Sequence, residues 1–126
     1  MKISAADIKG VLGFVPTPAV ADAASWACEQ SVDLDETARM ISLLCASGIK
    51  IFVTNGTYGE GSTLTFAEQK AFNACVAQSL HGRGLLFAGV TTLNTRDTIA
   101  RGRALLELGA DGLFLGRPMW LAPDQK

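Results

Sequence analysis

A glycine-rich segment at residues 56–63 has the residue types and spacing with the clearest chemical meaning in this chain. It reads Gly-Thr-Tyr-Gly-Glu-Gly-Ser-Thr and directly follows a short apolar run. A nucleotide-binding P-loop would need a lysine where Ser62 stands, and a dinucleotide-binding loop would need a glycine where Leu64 stands. Glu60 would also place a negative charge beside any phosphate. We therefore do not expect a nucleotide ligand.

The same segment has the features of a site for a small anion such as a carboxylate. Its backbone N–H groups and the Thr57 hydroxyl are donors, and glycines lack the side chains that would block close approach. The alternative is that Thr57 and Tyr58 only shape a turn between a strand and a helix. The spacing by itself leaves both interpretations open.

Alternating strands and helices must position this loop. Four short apolar runs, typical of strands covered on both faces, lie at residues 11–15, 49–54, 85–90 and 112–115. The three segments between them have helical periodicity, and each begins with a capping residue: Asp33, Thr65 and Asn94. They are predicted to end at Gly48, near residues 81–82, and at Gly109. His81 is expected at the end of the second helix, where it interacts favourably with the helix dipole.

The predicted order is β-α-β-α-β-α-β, which implies parallel strands joined by right-handed crossovers. Two architectures fit this pattern, an open doubly wound sheet and a (β/α)8 barrel, and a barrel typically needs about 250 residues. A weak internal repeat relates residues 36–48 to residues 97–109. As a barrel, residues 1–126 would be a single incomplete domain with about four strands, three helices and two open sheet edges.

Composition excludes several function classes. The chain has 126 residues, 48% of them hydrophobic, and a net charge of -1, which is typical of a globular domain. The charges are mixed, so neither a nucleic acid nor a membrane surface is expected as a partner. The first residues contain no apolar stretch long enough for a signal peptide, and no apolar run reaches the roughly 18 residues of a membrane span, so the sequence predicts a cytoplasmic protein. The spacing of Cys28, Cys45 and Cys75 supports neither disulfides nor a zinc site, and we expect no metal and no organic cofactor.

Residues 56–60 resemble the G-T-x-G-E motif of the dihydrodipicolinate synthase and N-acetylneuraminate lyase superfamily, the Schiff-base pyruvate aldolases built on a (β/α)8 barrel. Residues 10–19, 32–36, 91–99 and 109–120 are similar to one branch, the trans-o-hydroxybenzylidenepyruvate hydratase-aldolases of aromatic hydrocarbon breakdown. The resemblance covers nearly the whole chain. It implies an α/β fold that is the N-terminal half of a (β/α)8 TIM barrel.

The resemblance also implies a reaction and a binding site. Water adds to an aryl-conjugated enone of pyruvate, and retro-aldol cleavage then yields an aromatic aldehyde and pyruvate. Thr57 and the Tyr58 N–H would hold the carboxylate of this 2-oxo acid, and Thr17 would line the pocket floor. Trp120 would face the aromatic ring, or would only pack at the rim. Tyr58 stands where the wider superfamily has a second threonine, so the resemblance does not assign it a proton-relay role.

The imine-forming lysine of this superfamily lies on the sixth strand, and its tyrosine partner lies on the fifth. Both positions fall beyond Lys126, so the resemblance assigns no catalytic residue to this chain. Lys50 begins a strand at the wrong end and Lys70 lies on a helix, whereas the remaining lysines lie near the termini or in a leading segment: Lys2, Lys9 and Lys126. We therefore expect the isolated chain to be inactive. The resemblance further implies that the full-length protein is a homo-oligomer.

Two other functions remain open at this stage. The chain could belong to another pyruvate-dependent aldolase of the same superfamily, such as one similar to dihydrodipicolinate synthase. Alternatively, it could be a non-catalytic half-barrel that covers its open edges by associating with a copy of itself.

Overall fold

A computed structural model describes residues 3–118 of the chain. Strands and helices alternate in the order β1 (Leu12–Phe14), α1 (Leu34–Ala46), β2 (Ile51–Thr54), α2 (Phe66–Leu80), β3 (Leu85–Gly89), α3 (Thr95–Glu107) and β4 (Gly112–Phe114). Two short 3-10 helices cover Ala5–Asp7 and Thr57–Gly59. The predicted order of four strands and three helices is confirmed.

The three long helices begin at the predicted capping residues. The Asp33 side chain accepts a hydrogen bond from the N–H of Glu36, and Asn94 caps α3 in the same way. Thr65 and Glu68 form a reciprocal capping box at the start of α2. These interactions satisfy N–H groups that have no partner within the helix, so the boundaries follow from short-range chemistry.

The helix ends also lie close to the predicted positions. Gly48 follows α1 with a φ of 91° and Gly109 follows α3 with a φ of 108°, so both glycines reverse the chain in a conformation that other residues rarely adopt. Helix α2 ends differently, because His81 itself adopts the left-handed conformation with a φ of 45°. Its side chain is exposed.

All neighbouring strands pair in parallel, and their spatial order is β1-β2-β3-β4. The register aligns Phe14 with Val53, Val53 with Phe87, and Phe87 with Gly112. A doubly wound sheet would reverse its strand order at a switch point, whereas a barrel adds each strand beside the last. The sequential order therefore matches the barrel.

One face of the sheet packs against the helices and forms the core. Phe52 and Leu86 point toward this face and are fully buried. The helices contribute apolar side chains to the same cluster, notably Ile41 from α1, Phe72 and Val76 from α2, and Leu105 from α3.

The opposite face, here called the inner face, carries the alternate side chains Leu12, Phe14, Ile51, Val53 and Phe114. Ile51 and Val53 on the central strand are buried, but Leu12 and Phe14 on β1 are 44% and 46% exposed, and Phe114 on β4 is 36% exposed. The expectation that every apolar run is covered on both faces therefore holds for β2 and is wrong for β1 and β4. The physical reason is that each of these strands has a neighbour on one side only.

The sheet is curled toward its inner face. Phe14 and Phe114 lie on the two edge strands, and a flat sheet would separate strands three positions apart by about 14 Å. The centroids of their rings are instead 5.4 Å apart, in an edge-to-face arrangement. This curvature is the one that closes a sheet into a barrel.

Candidate functional site

The glycine-rich loop leaves the carboxyl end of β2 as a compact turn. Asn55 directly after the strand has a φ of 49°. The Gly56 carbonyl then accepts hydrogen bonds from the N–H groups of Gly59, at 3.0 Å, and Gly61, at 3.2 Å. Thr57 and Tyr58 are the first two residues of the 3-10 helix, so their N–H groups have no acceptor within it. The loop therefore presents two backbone donors beside the Thr57 hydroxyl.

Two of the loop glycines are required by close backbone packing. A Cβ atom at Gly61 would lie 2.1 Å from the Asn55 carbonyl oxygen, and one at Gly59 would lie 2.9 Å from the Val15 carbonyl oxygen. The sequence pattern indicated that glycines leave room for a ligand. The structure adds that they leave room for the protein's own backbone.

A cavity of about 330 Å³ lies where the carboxyl ends of β2, β3 and β4 meet. Its walls include the polar residues Thr57, Ser62 and Thr91, together with Phe114 and Arg117. The Arg117 guanidinium carries a fixed positive charge, and the neighbouring hydroxyls are hydrogen-bond donors. The cavity thus combines an apolar wall with groups that attract an anion, such as a carboxylate.

The predicted site residues fall in different places. Thr57 lines the 330 Å³ cavity, and Tyr58 beside it is 71% exposed. Thr17 instead lines a separate cavity of about 550 Å³ together with Glu60. Its hydroxyl donates a hydrogen bond of 2.9 Å to the Gly59 carbonyl, so Thr17 holds the loop from the side of β1. Trp120 lies outside the described residues, and the roles of all four residues remain predictions.

A buried amide network behind the loop was not predicted. The Thr54 hydroxyl donates to Asn73 Oδ1 at 2.6 Å, and Asn73 Nδ2 donates both to Asn55 Oδ1 and, at 2.7 Å, to the Gln69 carbonyl. Gln69 Nε2 donates to the Gly61 carbonyl at 2.8 Å. The available signal was the pair of polar residues at positions 69 and 73, four apart on a helix face that also carries apolar core residues.

The network continues to helix α3 through Arg101. Its Nη1 atom donates to Gln69 Oε1 at 3.3 Å, and its Nε atom pairs with Asp97 at 3.0 Å. The guanidinium carbon also lies 4.9 Å from the centroid of the Phe66 ring, close enough for a cation–π contact. Residues from β2, α2 and α3 therefore support the loop from behind.

Glu68 anchors the start of α2 to the segment before α1. Its carboxylate accepts hydrogen bonds from the N–H and hydroxyl of Ser31, at 2.8 and 2.6 Å, and from the N–H and hydroxyl of Thr65, at 2.8 and 2.7 Å. The hydrogen bonds from Ser31 hold the pKa of Glu68 down at about 2, with those from Thr65 acting in the same direction. Glu68 is therefore charged at any physiological pH.

The described lysines lie away from the carboxyl ends of the strands. Lys9 precedes β1, and Lys50 precedes β2 at the opposite end of the sheet. Lys70 is exposed on α2, with its amine 5.3 Å from the centroid of the Phe66 ring. Within residues 3–118, no group of three or more His, Cys, Asp or Glu residues is placed to hold a metal ion, and no helix is long and apolar enough to cross a membrane.

A curled parallel sheet in sequential order, with a glycine-rich loop at the carboxyl end of its second strand, defines one class of protein, the (β/α)8 barrels with ligand sites at that end. The chain belongs to the dihydrodipicolinate synthetase family, whose model matches residues 9–126. Both the superfamily and the half-barrel predicted from the sequence are thereby confirmed.

Individual relatives confirm the predicted branch as well. The trans-2'-carboxybenzalpyruvate hydratase-aldolase of Nocardioides sp. strain KP7 is 52% identical over 124 residues, which make up 98% of this chain and 37% of that protein. The trans-O-hydroxybenzylidenepyruvate hydratase-aldolase of Sphingobium xenophagum is 47% identical over 118 residues, or 94% of this chain and 36% of that protein.

A solved structure agrees closely with the fold. The structure of PhdJ bound to a substrate intermediate is similar with a TM-score of 0.94 and 51% sequence identity, covering 98% of this chain and 38% of that one. The chain therefore spans a little over a third of the length of these relatives.

Proposed function

We propose that this chain forms the first half of a Schiff-base hydratase-aldolase barrel and that its glycine-rich loop binds the carboxylate of a 2-oxo acid. The observation that carries the proposal is the cavity at the carboxyl ends of β2 to β4. There Thr57 and Arg117 line the same space as Phe114. One end of an aryl-conjugated enone of pyruvate is an anionic carboxylate and the other end is an apolar ring. The lining of the cavity likewise has a part that attracts an anion and an apolar part.

The reaction of the full-length protein would begin with the carboxylate held by Thr57 and the Tyr58 N–H. This contact fixes the adjacent keto carbon for attack by a lysine amine, and the condensation releases water to form an imine. Water then adds to the conjugated double bond, and retro-aldol cleavage releases the aromatic aldehyde and leaves pyruvate on the lysine as an enamine. Protonation of the enamine carbon and hydrolysis of the resulting imine release pyruvate and regenerate the amine. The names of the hydratase-aldolase relatives support this reaction class.

We assign the imine-forming amine to a lysine beyond Lys126. An amine becomes nucleophilic near neutral pH when an apolar pocket lowers its pKa, so the lysine must lie at the mouth of the barrel. Lys50 is at the other end of the sheet and Lys70 is exposed on the outer surface of α2. Accordingly, the isolated chain would bind a 2-oxo acid weakly and would not turn it over.

The aromatic part of the substrate would contact Phe114 and, as the sequence indicates, Trp120. Phe114 packs edge-to-face against Phe14, and both rings lie within 3.9 Å of the Cβ position of Gly56. An aryl group in edge or offset contact with such rings gains about 0.5–1.5 kcal/mol beyond its burial. This contact would favour aryl over alkyl enones.

Borohydride trapping with pyruvate tests the proposal. The full-length protein that carries this sequence should yield a stable mass adduct, because borohydride reduces the imine to an amine that cannot hydrolyse. The isolated chain of 126 residues should yield none. An adduct on the isolated chain would contradict the assignment of the lysine.

The kinetics of the full-length protein with aryl and alkyl enones form a second test. A preference for alkyl substrates would favour another pyruvate aldolase of the family.

A further inference from the structure

We propose that Asn73 is a positioning residue for the carboxylate-binding loop. From inside α2 it holds Asn55 in the left-handed conformation in which the chain turns from β2 into the loop. The inference deepens the proposed function and rests on it, because Asn73 would act on the ligand only through the loop that carries Thr57.

The hydrogen bonds of Asn73 explain why an amide occupies this position. The residue is 1% exposed, and a buried amide is stabilising only when its polar atoms have partners. The side-chain amide of Asn73 donates one hydrogen bond to Asn55 Oδ1 and another to the Gln69 carbonyl. Its oxygen accepts a hydrogen bond from the Thr54 hydroxyl. Two of these three partners, Thr54 and Asn55, lie where β2 ends and the loop begins.

Loss of the hydrogen bond from Asn73 would affect ligand binding through the backbone conformation of Asn55. Its φ of 49° lies in the left-handed region, which asparagine adopts more readily than other non-glycine residues but at some energetic cost. Its carbonyl oxygen is also tightly surrounded, since Cβ atoms built at Gly61 and Gly89 would lie only 2.1 and 2.4 Å from it. A rotation at Asn55 would therefore displace the backbone that leads to Thr57, two residues further on.

Asn73 acts on the far end of the loop as well. Its second N–H bond goes to the carbonyl of Gln69, whose own side chain holds the Gly61 carbonyl at 2.8 Å. Thr17 holds the Gly59 carbonyl from the other side at 2.9 Å. With both ends attached to α2 and the middle attached to the β1 side, the loop is held before any ligand arrives.

A positioning role and a merely structural role predict different kinetics for Asn73→Ala in the full-length protein. Misplacement of the loop should raise the KM for the aryl enone about tenfold and leave kcat within about threefold, because the lost contact is the one that binds the carboxylate. The pyruvate concentration that half-saturates borohydride trapping should rise in parallel. Val76→Ala, a matched control, removes fully buried atoms from the same helix without a bond to the loop, and both quantities should stay within about twofold.

A second substitution tests the route through Asn55. Glycine adopts the left-handed conformation without an anchoring side chain, so Asn55→Gly in the Asn73→Ala background should bring the KM back to within about threefold of the wild type. If Asn73→Ala does not fold, Asn73→Asp takes its place. Its side chain keeps the acceptor for Thr54 and has no N–H for Asn55, and the same rise in KM is expected.

The outcomes separate the two proposals. A wild-type protein that forms no trapped imine overturns the proposed function together with this inference. A wild type that traps pyruvate, combined with an Asn73 variant whose KM matches that of Val76→Ala, overturns the inference alone. The inference is also overturned if Asn55→Gly does not lower the KM of the Asn73→Ala variant, since the effect of Asn73 on the KM would then not pass through Asn55.

Discussion

Two of the buried polar residues of helix α2 lie in contrasting surroundings, Glu68 in its first turn and Asn73 further along. Glu68 is charged and accepts four hydrogen bonds from Ser31 and Thr65. Ser31 lies in the segment before α1, and Thr65 is the capping residue of α2. Asn73 is neutral and bonds to Thr54, Asn55 and the Gln69 backbone behind the candidate site. The charged residue joins secondary-structure elements, whereas the amide shapes a loop.

The difference follows from the chemistry of the two side chains. A carboxylate only accepts hydrogen bonds, so it suits a place where several N–H and O–H groups converge, such as a helix start. An amide both donates and accepts, so it can join a hydroxyl, a second amide and a carbonyl in one chain. We therefore expect substitutions at Glu68 to change stability and those near Asn73 to change ligand binding.

The largest expected effect is on stability. Glu68→Ala should lower the free energy of unfolding by about 3 kcal/mol, because it removes one half of the capping box of α2 and leaves the half-buried N–H and hydroxyl of Ser31 without an acceptor. Urea denaturation of the full-length protein measures this change in the free energy of unfolding. Glu107→Ala, at an exposed position at the end of α3, is the control and should change stability by no more than about 0.5 kcal/mol. Equal effects at the two positions would remove the distinction drawn for Glu68.

The pH dependence of stability should separate the charged residue from the amide. The pKa of Glu68 is about 2 in the folded protein against an ordinary value of 4.5, so the unfolded chain binds more protons between these values. Its contribution is therefore complete above about pH 5 and is lost as the pH falls toward 2, with a total of about 3 kcal/mol.

Denaturation of the wild type and of Glu68→Gln across this range is the measurement. The stability difference between them should shrink as the pH falls. The difference between the wild type and Asn73→Ala should stay constant over the same range, because no group in that contact titrates. A constant difference for Glu68→Gln would refute the pKa assignment.

A smaller effect is expected at the loop itself. Thr57→Val keeps the shape of the side chain and removes its hydroxyl, which should raise the KM for the aryl enone about tenfold, equivalent to about 1.4 kcal/mol of binding. Stability should not change, since Thr57 is exposed. Thr63→Val is the matched control, because its hydroxyl bonds to Glu60 and both residues line the 550 Å³ cavity. A rise in KM at position 63 as large as that at 57 would place the carboxylate elsewhere.

Several elements of the fold could be predicted because their causes are local. The starts of the helices at Asp33, Thr65 and Asn94 depend on a side chain and an N–H group three residues away. The chain reversals at Gly48 and Gly109 depend on a single φ angle. The loop motif at residues 56–60 is contiguous, so its family resemblance was visible without any knowledge of contacts.

The support of the loop could not be predicted because its parts are distant in the chain. Thr17 reaches Gly59, Asn73 reaches Thr54 and Asn55, and Arg101 reaches Gln69 only after the strands have paired and α2 has packed. In the sequence of a helix, a buried polar residue such as Asn73 cannot be distinguished from a polar residue on the solvent-exposed face. The exposed edge strands belong to the same category, since an apolar run does not reveal which neighbour is present.

The amino-acid sequence alone specifies the alternation of strands and helices, the helix caps and the glycine-rich motif, because each depends on residues within a few positions of one another. Packing specifies the spatial order of the strands, the curl that places the ring centroids of Phe14 and Phe114 5.4 Å apart, and the amide network around Asn73. These features depend on how separate elements pack, and packing brings together residues whose separation in the chain carries no signal of their contact.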